Sequence, residues 1–434
     1  MSPVSPGRRV MSRNISSRTP FPASRWSATI LAVLALSFLL PAIFNKVGGS
    51  GGDEPLLFYS PLLEAFIYQE SLGGHQFLYR DEQGREYSRE EFEDQLPFVY
   101  FRNLERRNLL PMTIAGQTFD AQAIAADRQG LEIRARHLRG HHPRIDLYPL
   151  FNIDPAVAMM RFPVEMFRFT DAAMEFLNAD DNRLDHGLTE TFTTVLKDLG
   201  FSFPATVIGG RATNLKPFDD GYFIRDAVGR IFHVKRILNQ PEVVATGIDP
   251  SLDVLDIIVN ENERREFRGV IITRQSEAFL ISWDDYRLIP LPVDGYDPAR
   301  MDLKLLIDPL YRTVTVSSED AVFGTVMNRA YAPLHRFELP RRDFSPSWLL
   351  GMRAFLLPVE LHLENPWRGQ VAPHIQLGGP WSIAGILTAL AILVVIRLAR
   401  TKTLPSLAEL APVALTGVIG LLAVLFFQPG HRGS

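Results

Sequence analysis

The densest gathering of reactive side chains in this 434-residue sequence is GFSFPATVIGGRATNLKPFDDGYFIRDAVGRIFHVKRILNQP, from Gly200 to Pro241. Lys216, Asp219, Asp220, Tyr222, His233 and Lys235 place two carboxylates, two ammonium groups, a phenol and an imidazole within twenty residues. Neighbouring carboxylates do general acid–base work when their surroundings drive their pKa values apart, so Asp219 and Asp220 are the candidate catalytic groups. Lys216, Tyr222, His233 and Lys235 are the matching candidates for contact with a ligand or partner. The same residues have a plainer reading: Pro217-Phe218-Asp219-Asp220-Gly221 is turn chemistry leading into a strand.

Two further clusters carry weaker chemistry. In RARHLRGHHPRID, His137, His141 and His142 have a spacing that could share a metal ion. Arg134, Arg136, Arg139 and Arg144 surround them and oppose a cation, which leaves a polar loop or an anion contact as the alternatives. Asn178-Ala-Asp-Asp-Asn-Arg-Leu-Asp185 resembles a calcium loop but lacks the required glycine, and Arg183 intrudes. A connection between two helices is expected there instead. The chain has no cysteine, which excludes disulfides, thiolate metal sites and cysteine nucleophiles. It contains no Walker A loop, HExxH, GxGxxG or CxxC, so no cofactor is expected.

Short strands must position these side chains. Residues 77–87, FLYRDEQGREY, and 222–232, YFIRDAVGRIF, share one pattern: aromatic-apolar-x-Arg-Asp-x-x-Gly-Arg-x-aromatic. The pattern describes a hairpin in which Asp81 or Asp226 opens the turn and Gly84 or Gly229 supplies positive φ. Similar strand–turn–strand units recur at FLISWDDYRLIPL (279–291) and LLIDPLYRTVTV (305–316). Ser88-Arg-Glu-Glu91 is a capping box for a helix that Pro97 must bend or break. A second helix is expected over Leu188–Leu199, ending at Gly200. The β-rich part spans 202–340, and its hairpins suit either a propeller or a mixed meander with helical insertions.

Three apolar blocks flank this region: Ser27–Phe44, Trp381–Ile396 and Leu410–Phe427. About 18 residues at 1.5 Å rise approach the ~30 Å hydrocarbon thickness, so each is expected to span a membrane. The first is longer than a signal-peptide core and lacks a small-residue cleavage site after Phe44. Five arginines precede it, and Arg397, Arg400 and Lys402 lie between the other two. Positive charge stays cytoplasmic, which predicts a cytoplasmic tail (1–25), a span (26–45), an extracytoplasmic domain (46–379), a span (380–399), a cytoplasmic loop (400–408), a span (409–427) and an outer tail (428–434). Residues 26–396 hold 36 Lys and Arg against 48 Asp and Glu, an acidic balance that speaks against nucleic acid as partner. Gly48–Gly52 is a flexible spacer. Residues 346–366 form an amphipathic stretch suited either to the outer interface, near Trp348, Trp367 and Trp381, or to core packing.

RFPVEMFRF (161–169), GFSFPA (200–205), KPFDDGYFIRDAVGRIFHVK (216–235) and YRDEQGREYSREEFEDQLPFVYFRNL (79–104) resemble a family of uncharacterised bacterial membrane proteins known only as a domain of unknown function. The resemblance covers about residues 55–340 and extends to the one-plus-two helix layout. It implies an accessory protein of a Gram-negative inner membrane, often encoded beside ABC-transporter ATPase and permease genes, and it supplies no catalytic residue. The expected class is a membrane-anchored α+β protein, antiparallel and β-rich. A non-enzymatic subunit with membrane permease and ATPase partners is the first functional expectation. An extracytoplasmic hydrolase using Asp219 and Asp220, or a ligand-binding protein, is the second. Small residues Gly385, Ala389, Gly417 and Gly420 suit close helix contacts, either with partner helices or as ordinary lipid-facing composition.

Overall fold

The computed structural model describes residues 22–48, 54–73, 75–141, 144–157, 159–342, 347–364, 372–377 and 379–427. Most of the spacer, His142, Trp367 and both chain ends lie outside the described residues. The chain divides into two units, one built mainly from 52–344 and the other from the N-terminal and C-terminal segments.

Among the described residues the larger unit contains five sheets of four or five strands that follow the chain, antiparallel but for one added strand, and a two-stranded ribbon, Met112–Ile114 with Gln117–Phe119. The first runs Leu56–Ser60, Ala65–Gly73, Gln76–Asp81 and Glu86–Tyr87; the second is built from Tyr148–Pro149, Glu165–Phe169, Met174–Asn178 and Arg183–Asp185. The third comprises Val207–Gly210, Tyr222–Arg225, Ile231–Ile237 and Gln240–Ala245, with Asn152–Ile153 added in parallel. The fourth comprises Val254–Val259, Phe267–Thr273, Ala278–Ser282 and Leu288–Pro290. The fifth comprises Asp302–Ile307, Arg312–Ser317, Ala321–Met327 and Pro333–Pro340, with Gln129–Ile133 on its edge. Strand structure thus begins at residue 56, well before the expected β-rich part. Within each sheet, strands are joined in sequence order, so every pairing is local in the chain apart from those two additions.

Period-two alternation gives the middle sheets two apolar faces. On the third sheet, Ile208, Tyr222, Ile224 and Phe232 face the second sheet's Phe167 and Phe176. Val207, Phe223 and Ile231 face Ile257, Ile271 and Ile281 of the fourth. The fourth sheet's other face, with Val270, Ile272 and Leu280, packs on Leu303, Leu305 and Val314 of the fifth. The fifth then turns Val322, Val326 and Leu339 to Leu57, Phe66 and Tyr68 of the first. Gly324 allows that last contact, because a Cβ there would stand 2.7 Å from both Leu57 and Phe66.

The helical expectations hold locally. Arg89–Asp94 carries the capping box, with Ser88 and Glu91 exchanging bonds, and the chain turns at Pro97 before Phe101–Arg106. His186–Asp198 is capped by Asp185 and ends at Gly200 with φ +82°. The Asn178–Asp185 segment is not a link between helices. It is the hairpin turn between the third and fourth strands of the second sheet, with Asn178 Oδ1 accepting from the Asp180 and Asp181 amides, 3.0 Å each.

In the smaller unit, two helices are long and apolar enough to cross a membrane, Trp26–Phe44 within Pro22–Gly48, and Trp381–Thr401. The third block departs from expectation. It forms two ten-residue helices, Leu407–Thr416 and Val418–Phe427, broken at Gly417 with φ +58°. At 1.5 Å per residue each reaches only about 15 Å, half of a hydrocarbon core. Pro412 withholds an amide, Thr416 Oγ1 bonds the Pro412 carbonyl at 2.8 Å, and glycine takes up the reversal. Gly420 then lies on the Pro412 carbonyl, too close for a Cβ. The stretch 346–366 is helical only over Ser347–Leu356; Val359–Glu364 pairs with Ala372–Leu377 instead. Gly385 sits against the Phe355 carbonyl and Ala389 is buried. These small residues therefore serve contacts within the chain.

Candidate functional site

The segment 211–221, between the first two strands of the third sheet, carries the carboxylate pair. Gly221 closes it with φ +70°, where a Cβ would collide with the Val234 carbonyl. Gly209 does similar work one strand earlier: a Cβ there would meet the Ile257 carbonyl, so the third and fourth sheets touch at backbone distance. This close approach brings residues of the fourth sheet to the sequence cluster.

Lys216 is the centre of the first half. Its Nζ donates to the Arg211 carbonyl at 3.0 Å, to Glu261 Oε1 at 2.6 Å, and to Asp219 Oδ1, and it lies 4.8 Å from the centre of the Phe151 ring. The side chains of Lys216, Asp219 and Glu261 are fully buried. Glu261 Oε1 also accepts from the Asp220 amide at 2.9 Å. Burial raises the pKa of Asp219 against the lowering pull of Lys216, and it pushes Glu261 up to about 7. Tyr222, buried beside both, is raised mainly by desolvation.

Asp220 organises the second half. Its carboxylate takes Arg268 Nη1 at 2.7 and 2.9 Å and has Lys235 Nζ at 3.6 Å. Burial raises its pKa, with Arg268 opposing. Arg268 is itself held by the Trp283 carbonyl at 2.8 Å and lies 4.2 Å over the Trp283 ring. His233 Nε2 bonds the Asp220 carbonyl, and Nδ1 meets the Tyr286 hydroxyl at 2.9 Å. A carbonyl only accepts, so the ring hydrogen is on Nε2 and Nδ1 accepts from Tyr286. His233 stacks on Phe223 at 4.3 Å, and burial lowers its pKa to about 3, so the imidazole is neutral.

All six sequence candidates, Lys216, Asp219, Asp220, Tyr222, His233 and Lys235, thus meet in one place. The residues that complete the network, Glu261, Arg268, Trp283, Tyr286 and Phe151, were not legible as partners. Glu261 and the three after it belong to the fourth sheet's segment, and no local spacing links them to 216–235; SWDDYR reads only as a hairpin turn. Chemically, the arrangement ties ionic groups to one another. A general acid or base must reach a substrate within hydrogen-bond distance, and here the side chains of Lys216, Asp219 and Glu261 present no accessible surface.

The histidine cluster is seated differently. Ala135 N donates to Asp302 Oδ1 at 2.9 Å, while Arg139 N and Arg144 Nη2 both bond Asp256 Oδ2, at 2.9 and 2.7 Å. Arg144 also holds the His137 carbonyl at 2.8 Å. Arg144 is therefore spent on an acid of the fourth sheet, and Arg134 on Glu132 at the edge of the fifth, at 3.1 Å. Among the described residues, His137 and His141 included, no group of three His, Asp or Glu side chains could hold a metal ion.

Open concavities lie elsewhere in this unit. One of about 340 Å³ lies between Leu56–Ser60 and the Gln129–Ile133 edge, lined by Leu56, Phe58, Gly130, Leu306 and Thr313, with Lys304 and Glu54 paired at 3.0 Å on its rim. Another, of about 370 Å³, is formed by 99–103, Ala125 and Arg128.

The chain belongs to a protein family. Residues 56–327 match the family described as a domain of unknown function (DUF4857). No curated protein matches the chain. Among solved structures it is similar to PorZ, a surface component of the type-IX secretion system of Porphyromonas gingivalis, at 10% identity over 69% of this chain and 28% of that one, with a TM-score of 0.22. It is also similar to the dihydro-heme d1 dehydrogenase NirN, at 10% identity over 55% of this chain and 58% of that one, with a TM-score of 0.25. The chain thus spans less than two thirds of either structure, and likeness at this level carries no functional argument.

Proposed function

We propose that the chain is a non-enzymatic, membrane-anchored accessory subunit of a bacterial transport system of the ABC type, its β-rich unit working outside the inner membrane. The observation that carries this reading is the sealing of the acid–base cluster. The groups best suited to catalysis are held in ion pairs and hydrogen bonds between two sheets, whereas the concavity beside Leu56–Ser60 is lined mainly by apolar side chains, with Lys304 paired to Glu54 on its rim. That division favours a domain that holds a ligand or partner over one that transforms a substrate.

The two long apolar helices support an anchor, and the arginines before the first support a cytoplasmic N-terminus. The five sheets are read as propeller blades in the order second, third, fourth, fifth, first. Any coupling to cytoplasmic ATP would then come from partner subunits. Extraction from native membranes in mild detergent, followed by affinity purification, is expected to recover a permease together with the chain. Recovery of the chain alone, as a monomer, would overturn the proposal. The hydrolase alternative predicts that Asp219→Asn abolishes an activity without unfolding the protein; loss of stability instead is the outcome expected here.

A further inference from the structure

The concavity at residues 99–103 differs from the sealed cluster in having cationic groups outside any direct ion pair among the described residues, with Asp308 acting on Arg128 only from a distance. Arg102 and Arg128 lie against the same ring, Phe101, with their guanidinium carbons 5.8 and 5.3 Å from its centre. Neither has a hydrogen bond or a salt bridge among the described residues, and each lines the cavity of about 370 Å³ together with Val99, Tyr100, Asn103 and Ala125. Nearby acids are committed elsewhere. Glu93 accepts from Arg89 Nε at 3.1 Å and Asn103 Nδ2 at 3.0 Å. Asp308 is buried and accepts from the Leu310 and Tyr311 amides at 2.8 and 2.7 Å. Burial lowers the Arg128 pKa, and the neighbouring Arg102 charge pushes the same way against Asp308.

Two positive forks over one aromatic platform, Arg102 exposed and Arg128 half-buried, offer an incoming anion two sets of donors. From this geometry we infer that the cavity is a binding site for a phosphate-bearing small molecule, whose oxygens bridge Arg102 and Arg128. A tetrahedral dianion offers each guanidinium a pair of acceptors and matches the two charges; a monocarboxylate can satisfy only one fork in this way. The volume falls within the ~300–1,000 Å³ range of small-molecule sites, and Val99, Tyr100 and Ala125 leave room for an organic group beyond the phosphate. The phosphate could belong to a soluble metabolite or to a lipid headgroup, since the recognised atoms are the same.

The test is titration calorimetry on the full chain in a non-ionic detergent, with inorganic phosphate in one arm, a soluble short-chain phosphatidate in another, and acetate as the third. Saturable binding of phosphate supports a soluble ligand; saturation by phosphatidate alone supports a lipid headgroup. In either case Arg102→Gln and Arg128→Gln should each weaken binding by about tenfold or more, as expected for loss of a charge-assisted pair. Arg128→Lys, which keeps the charge and loses the fork, should fall between wild type and Arg128→Gln. Arg287→Gln, which removes an arginine from the fourth sheet's last turn, should bind as wild type. Failure of both phosphate titrants to saturate would overturn the assignment, as would wild-type affinity in both glutamine variants or equal affinity for acetate. None of these readouts depends on a transport partner.

Discussion

The hairpins at 77–87 and 222–232 read almost identically and fold almost identically, yet they live in different surroundings. In both, the aspartate's first oxygen accepts two backbone amides of the turn: Gln83 and Arg85 at 2.9 Å for Asp81, Val228 and Arg230 at 3.0 and 2.8 Å for Asp226. Gly84 and Gly229 take φ +86° and +98°. The second oxygen separates them. Asp81 Oδ2 accepts from the Tyr87 hydroxyl at 2.8 Å. Phe232 stands at the matching position and has no hydroxyl, so Asp226 Oδ2 takes Arg230 Nε and Nη2, at 3.0 and 2.8 Å, and the Ser202 amide at 3.1 Å. The turn is thus a local property of eleven residues, and its partners are a property of the sheet that covers it. The third-sheet hairpin sits beside the Lys216 network; the first-sheet hairpin has no such neighbour.

The sharpest way to break this comparison is at Lys216. Lys216→Met leaves Asp219 and Glu261 buried without their counterion, which is expected to cost about 3–5 kcal/mol. Urea unfolding followed by tryptophan fluorescence measures it. A change below about 1 kcal/mol would mean that the carboxylates are solvated, and the sealed reading would fail. The turn glycines come next. Gly84→Ala meets open space, so only the left-handed backbone is strained, by about 1–2 kcal/mol. At Gly229 the new Cβ would stand 2.3 Å from the Pro250 carbonyl, adding overpacking of about 1–3 kcal/mol. Equal losses at the two positions would show that the covering segment yields freely. Smaller again is the aspartate difference. Asp226→Ala should exceed Asp81→Ala by about 1–2 kcal/mol, the net worth of two further hydrogen bonds to a buried carboxylate. The reverse order in paired melts would contradict the geometry.

The same contrast explains what could be read in advance. Asp81 and Asp226 act on amides two and four residues away, so spacing alone exposed both turns, as it exposed the Ser88–Glu91 capping box. Gathering 216–235 into one site was equally local, because a hairpin returns His233 and Lys235 to Asp220. Glu261 and Arg268 reach that site only because the fourth sheet docks at Gly209, and a single sequence does not state which sheet faces which. The third apolar block failed for another reason. Hydropathy counts residues without asking whether Pro412 and Gly417 allow them to continue as one helix. The Arg102–Arg128 pair escaped notice because its two members are joined only through Phe101 and carry no motif.

A further expected effect is a pH dependence at the junction of the third and fourth sheets. Glu261 has its folded pKa raised to about 7 by burial, from an ordinary value of 4.5. Between those values the folded state holds a proton that the unfolded chain has released. Its contribution is therefore fully present below pH 4.5 and lost as pH rises through 7. His233 works in the opposite sense, with its pKa lowered by burial to about 3 from 6.5. Its contribution is present above pH 6.5 and lost as pH falls towards 3. The two slopes oppose each other between pH 4.5 and 6.5, which flattens the wild-type profile there. Glu261→Gln removes the falling limb and leaves the histidine limb. Apart from any constant loss at Lys216, the variant should gain about 1–3 kcal/mol on wild type between pH 5 and 7.5. Gly84→Ala changes no titratable group and should run parallel to wild type across the same range. Parallel curves for Glu261→Gln as well would place the titrating proton elsewhere in the network, with Asp219, whose pKa is also raised, the next residue to replace.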